Sequence, residues 1–165
     1  MQELDNINKL VEEKEEVMQG MYLTFRVGNG NFGIEIKYVT EIIKVLDVTF
    51  VPRTAGFIKG IINLRNTIVP VVDMSLRFGR EEIEYTDRTC IVVLSLDDIN
   101  VGLLVDEVRE VLNINDEDLK PCSEGTRSDD VQNDFIKAIG VSGEEINQLL
   151  DINKVFDMEE DVLAS

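Results

Sequence analysis

Apolar and polar residues alternate from Tyr22 to Val27, where Leu23, Phe25 and Val27 stand against Thr24 and Arg26. The alternation resumes at Phe32, with Ile34 and Ile36 set against Glu35 and Lys37. A period of two marks half-buried strands, and the intervening Gly28-Asn29-Gly30-Asn31 supplies residues that tolerate positive φ in a tight hairpin. The spacing then changes. Val39, Ile42, Ile43 and Leu46 fall at i, i+3, i+4 and i+7, which predicts about two helical turns with Lys37, Glu41 and Lys44 facing out. An extended Thr49-Phe50-Val51-Pro52 leads into a second strand pair, Ile61 to Leu64 and Thr67 to Val72, joined at Arg65-Asn66. Asn accepts the αL conformation that such a turn needs, and Pro70 predicts an edge or a bulge for the second strand. Asp73 reads as an N-cap and Gly79 as a C′ residue around a short turn containing Leu76 and Phe78.

The second half of the chain repeats these landmarks in order. Gly33-Ile34-x-Ile36 returns 69 residues later as Gly102-Leu103-x-Val105, Val39-x-Glu41-Ile42 as Val108-x-Glu110-Val111, and Pro52 as Pro121. The offset then becomes 78: Phe57-Ile58-Lys59 returns as Phe135-Ile136-Lys137 and Val72-Asp73-Met74 as Leu150-Asp151-Ile152. A polar insertion, Ser123 to Asp134, accounts for the change. The predicted fold is therefore mainly β with few short helices: two pseudo-symmetric barrels of about five strands each, in halves near 21–80 and 89–156 between which strands are free to exchange. A unit of roughly 60 residues buries only about 60% of its unfolded surface, so the halves are expected to share an apolar seam. A phase slip near Asp106-Glu107 predicts a bulge or bend there. Residues 1–20, with Leu4, Ile7, Leu10 and Val11 at near-helical spacing, read as a flexible or helical extension that the core does not need, and residues 157–165 as an acidic tail.

Charge and composition narrow the function. Sixteen Lys and Arg stand against 33 Asp and Glu, a formal charge of −17, which disfavours capture of a phosphate backbone. The chain has no histidine, which removes His-activated nucleophiles and the usual zinc sites. Cys90 and Cys122 form no CxxC pair, so no metal site or cofactor is predicted. No apolar run is long enough to span a bilayer and the N-terminus lacks the basic then apolar order of a signal peptide, so no membrane insertion and a cytoplasmic location are expected.

The chemical candidates are weak. Gly28-x-Gly30-x-x-Gly33 matches a dinucleotide fingerprint formally, but Ile34-Glu35-Ile36 continues the strand period where a phosphate loop needs a helix. Asn113-x-Asn115-x-Glu117 has the flavour of a calcium loop, yet Asp118 stands where Gly is required. Asp97-Asp98 and Asp116-Glu117-Asp118 read as turn caps. Nothing names a reaction, so a binding or scaffolding role is expected. The alternative class is a small β-barrel module for a small ligand or single-stranded nucleic acid, against which the charge and the mere seven Phe and three Tyr both count.

The run Phe57-Ile58-Lys59-Gly60-Ile61-Ile62-Asn63-Leu64-Arg65-Asn66-Thr67-Ile68-Val69-Pro70-Val71-Val72-Asp73-Met74 resembles the CheW family of bacterial chemotaxis coupling proteins. Phe32-Gly33-Ile34-Glu35-Ile36, Val39-x-Glu41-Ile42 and Val101-Gly102-Leu103-Leu104-Val105-Asp106 extend the likeness over nearly the whole chain from Met21. The resemblance implies a non-enzymatic adaptor of two SH3-like barrels, located in the cytoplasm and recruited to receptor arrays. Its implied partners are the regulatory domain of the histidine kinase CheA and the cytoplasmic tip of a chemoreceptor, or methyl-accepting chemotaxis protein. The residues matching the family's receptor groove are Ile36, Val39, Ile42, Gly60, Val101, Gly102, Val108 and Val111, and Glu41 and Arg65 match further important positions. Glu41 and Arg65 are expected to pair and orient the turn that meets the receptor. About half of the apolar groove positions are expected to fill the seam instead. The kinase-contacting residues remain unassigned. The family's Asn-Leu-Arg turn normally continues with Gly, where this chain has Asn66.

Overall fold

The computed structural model describes residues 2–12, 20–54, 56–121 and 134–156. The first half contributes helix α1 (Gln2–Glu12), strands β1 (Met21–Val27), β2 (Gly30–Glu35), β3 (Val39–Lys44), β4 (Ile58–Leu64) and β5 (Thr67–Asp73), and the single-turn α2 (Met74–Arg77). The second half contributes β6 (Cys90–Leu96), β7 (Ile99–Val105), β8 (Glu107–Asn113), β9 (Leu119–Pro121), β10 (Ile136–Ser142) and β11 (Glu145–Leu150), then α3 (Ile152–Val155). One sheet has the order β8-β1-β2-β11-β10-β9 and the other β3-β6-β7-β5-β4. Each sheet thus takes strands from both halves of the repeat.

The duplication extends to the irregularities. Thr40 is the extra residue where β3 pairs with β6, and Arg109, 69 positions on, is the extra residue where β8 pairs with β1. Lys59 and Lys137, 78 apart, are skipped in the same way on β4 and β10. Asp73 and Asp151 both cap a single-turn helix, and their amides donate to the carbonyls of the equivalent Phe57 and Phe135. Repeated bulges identify a repeated unit more firmly than repeated apolar residues, because a bulge needs its own local geometry.

Strands with apolar residues on both faces build the core. On β6, Cys90, Val92 and Leu94 face the cluster shared by the two sheets, while Ile91 and Val93 face the interior of their own sheet. On β1, Leu23, Phe25 and Val27 face the shared cluster and Tyr22 the other side. The shared seam is larger than either private interior. Truncating one of its buried side chains, such as Leu94, should cost about 2–5 kcal/mol. The aromatic chain Phe25–Phe32–Phe78–Phe135, with centroid spacings of 6.1, 4.8 and 6.1 Å, runs through this seam. Arg77 locks it at one end: its guanidinium lies 4.2 Å from the Phe57 ring and 4.6 Å from that of Phe135, and its Nε donates to the Val155 carbonyl at 2.8 Å. The expected pair of SH3-like curled sheets around an apolar seam is what the chain forms.

Four expectations need correction. The helix predicted from Val39 to Leu46 is strand β3 over Val39–Lys44. The bulge at Thr40 separates the inward-facing Val39 and Ile42 by three residues instead of two, which imitates helical spacing. One sheet has six strands because Leu119–Pro121 pairs with β10, whereas the matching stretch of the first half makes only the single bridge Thr49↔Ile61. Pro70 lies on an internal strand, but β7 pairs with β5 only from Val71 onward, so the proline sits just before that ladder begins. Residues near the N-terminus do reach the core, since Ile7 is buried in the shared cluster. The predicted bend falls at Asp106, whose carboxylate accepts the Gly28 amide at 2.7 Å. Asp97 and Asp98 form a hairpin turn with φ of 47° and 68°. Gly33 lies within β2, with no helix beginning there. Apart from Asp134, the insertion at Ser123 to Asp134, Cys122 and the tail 157–165 lie outside the described residues.

Candidate functional site

β3 and β8 are edge strands, one in each sheet. An edge leaves backbone donors and acceptors unpaired, and two edges meeting at a seam make a natural place for a partner to seat. Arg65 closes the turn between β4 and β5, where it and Asn66 have φ of 49° and 67°. Both central residues are therefore left-handed, the geometry that matches the twist of a two-residue hairpin. Asn66 serves here in the place of a glycine. The turn carries the Arg65 guanidinium to Glu41 on β3, where Nη2 donates to Oε1 and Nη1 approaches Oε2 at 3.4 Å. The carboxylate raises the Arg65 pKa further. The arginine side chain is 72% exposed and that of Glu41 24%. Beside them opens a recess of about 660 Å³, whose lining includes Thr40, Leu64, Thr67 and Asn8.

A second recess, of about 300 Å³, lies between the two edges and is lined by Lys44, Cys90, Glu107, Val108 and Leu4 of α1. Cys90 is almost fully buried, and burial pushes its thiol up to about 11. Val108 and Val111 on β8 are half-buried and keep some surface.

The remaining predicted positions point inward. Ile36, Val39, Ile42 and Val101 are 0–4% exposed in the shared cluster. Gly102 sits where a Cβ would meet Ile91 Cγ2 at 2.8 Å. Gly60 has φ of +152°, and a Cβ there would meet the Thr49 carbonyl oxygen at 2.2 Å. Its place is explained by backbone against backbone. The structure thus brings Glu41 with Arg65 to one recess and Val108 to another, and leaves six of the ten positions beneath the surface. Asn8 was missed by sequence reasoning; its one signal was an amide beside Ile7, on the flank of an apolar stripe. Among the described residues no cluster of acidic or thiol side chains is arranged to hold a metal ion. No described helix is long and apolar enough to cross a membrane.

Comparison with known proteins identifies the family. Residues 21–160 match the family model described as CheW-like domain. The chain is 34% identical over 143 residues to the chemotaxis protein CheW of Klebsiella aerogenes, covering 87% of this chain and 85% of that protein. It is 33% identical over 138 residues to the chemotaxis protein CheW of Bacillus subtilis, covering 83% and 86%. The crystal structure of the scaffolding protein TtCheW from Thermoanaerobacter tengcongensis superposes with a TM-score of 0.76 at 27% identity, covering 84% of this chain and 92% of that one. With its doubled fold, its two edge strands and these relatives, the chain belongs to the CheW-like family, whose members named above are chemotaxis and scaffolding proteins.

Proposed function

We propose that this protein is a chemotaxis adaptor that couples the cytoplasmic tip of a chemoreceptor to the regulatory domain of the kinase CheA. It acts in the cytoplasm, at receptor arrays on the membrane, and its output is the geometry of that assembly. The observation that carries the receptor side is the Glu41–Arg65 pair, held at the rim of a recess beside an edge strand. A receptor tip is an antiparallel helical hairpin, and an apolar seam rimmed by an oriented guanidinium suits one helix of it. Glu41, Arg65, Val108 and Val111 make the contact. The buried Ile36, Val39, Ile42, Val101, Gly60 and Gly102 shape the surface from beneath.

Exposed apolar residues at strand ends support the kinase side. Ile68 on β5 and Ile99 on β7 are 58% and 63% exposed, each three residues before the paired Val71 and Gly102. Val141 and Ile146 pair across β10 and β11 and are also exposed. A second small barrel packs end-on against such residues. Calorimetric titration with a CheA regulatory domain and, separately, with a receptor-tip hairpin tests the reading: both should bind, the first weakened by I68S and the second by R65A. Silence in both titrations overturns it.

A further inference from the structure

The edge of β3 is already occupied. Helix α1 packs against it, and the Asn8 side chain reads the strand as a neighbouring strand would: its Nδ2 donates to the Ile42 carbonyl at 3.1 Å and its Oδ1 accepts the Ile42 amide at 2.9 Å. Ile42 is paired with Val92 on its β6 side, so these two bonds satisfy the outward-facing backbone of an edge that would otherwise stand open. Leu4, one helical turn before Asn8, lines the recess that holds Val108, while Asn8 lines the recess that holds Glu41 and Arg65. A single face of α1 therefore reaches both clusters of groove residues that keep any surface. Ile7 anchors it in the shared core at 8% exposure.

We propose that α1 is an intramolecular occupant of the receptor groove, and that a receptor helix binds by displacing it; this rests on the receptor reading given above. Two helices cannot lie on one edge, because packed helix axes stand about 8–10 Å apart. Displacement is affordable to the protein, since a helix of 11 residues is marginal by itself in water and owes its order to the surface it rests on. The apparent receptor affinity is then the intrinsic affinity reduced by the fraction of molecules with α1 undocked. A displacing helix is expected to offer an apolar residue and, four positions later, a side chain able to bond the Ile42 backbone.

Three full-length variants test this by titration with a receptor-tip hairpin, with amide exchange at Ile42 reporting docking. N8A removes both bonds to Ile42, and N6P breaks α1 from an exposed position without removing a core side chain. Both should speed Ile42 exchange and tighten receptor binding by about fivefold or more, the worth of a hydrogen bond or two. N6A strengthens the helix at the same exposed position and should weaken receptor binding by about twofold to threefold. Faster Ile42 exchange in N8A and N6P with receptor binding unchanged or weakened overturns the competition alone. Ile42 exchange that does not respond to N8A or N6P overturns the docking. Absence of receptor binding by every form, wild type included, removes the receptor reading and the competition with it.

Discussion

Arg65 and Glu41 stand at opposite edges of the five-stranded sheet, yet they form an ion pair. Glu41 lies on β3 and Arg65 follows β4, the first and last strands in the order β3-β6-β7-β5-β4. Their contact marks where the sheet curls around to meet itself. The pair is solvent-facing and therefore adds little to stability, since screening and side-chain entropy offset most of its attraction. Its consequence is orientation: a carboxylate on a fixed strand holds a guanidinium that otherwise sweeps through water.

A double-mutant cycle separates these roles. E41A and R65A should each leave the thermal midpoint nearly unchanged and weaken binding of a receptor-tip hairpin by roughly tenfold, the double variant by little more than either alone. Full additivity of the two losses would show that each residue touches the receptor independently.

Glu35 shows the same chemistry in a place that supports the fold. Partial burial acts to raise its carboxyl pKa, but Lys137 on β10 and Lys37 at 3.2 Å outweigh burial and hold it below its ordinary value of 4.5. A lowered folded-state value means that the contribution is complete above pH 4.5 and is lost as pH falls through the folded value. The wild type should exceed E35Q in stability by no more than about 1 kcal/mol at pH 7, because the lysines are partly exposed. That margin should shrink progressively in denaturant titrations below pH 4.5. A margin that grows on acidification would contradict the ion-pair account.

Much of this was legible in the sequence, and what was not follows a pattern. The repeat was visible because equivalent glycines serve equivalent crossings: Gly33 lies opposite Leu149 and Gly102 opposite Val71, at the two parallel junctions that tie one half to the other. A Cβ at Gly33 would meet Leu149 Cδ2 at 2.8 Å, so the landmark carries a packing requirement. Exchange of strands between the halves was foreseen, but which strands exchange was not visible, because pairing between β1 and β8 is decided by contacts more than 80 residues apart. Helical spacing at Val39 and Ile42 was a bulged strand, and a periodicity rule has no means of telling a one-residue insertion from a change of period. The family likeness marked ten positions, but whether a matched residue faces out or supports from beneath depends on the seam, and only Glu41, Arg65, Val108 and Val111 keep surface. Asn8 acts on a backbone 34 residues away, beyond any local pattern.

Cys90 should be chemically silent in the folded protein. Its thiol is pushed to about 11 by burial, so at pH 8 about one molecule in a thousand carries the reactive thiolate. In a C122S background, a disulfide exchange reagent at pH 8 should label Cys90 only at the rate of unfolding, and immediately in denaturant. Rapid labelling of the native protein would mean that the recess under Leu4 opens freely.

Asp73 and Asp151 occupy equivalent places in the repeat but should differ in cost when removed. Asp73 is fully buried; one of its oxygens accepts the Ser75 and Leu76 amides at 2.9 and 3.1 Å, and the other accepts Ile83 at 2.9 Å. Burial raises its pKa, and the three donors and the charge of Lys59 work against that rise. Asp151 is partly exposed and accepts only the Asn153 amide, at 3.1 Å, among its described side-chain bonds. Removing a cap typically costs about 1 kcal/mol, and each buried donor left without a partner adds about 1–3 kcal/mol. D151A should therefore lose about 1 kcal/mol in denaturant unfolding and D73A about 3 kcal/mol or more. The second loss also frees the segment after α2, because Ile83, buried in the interior of the five-stranded sheet, is tied down by the same carboxylate. Equal losses in the two variants would mean that the Ile83 bond contributes nothing, and that the two caps are equivalent in energy as well as in position.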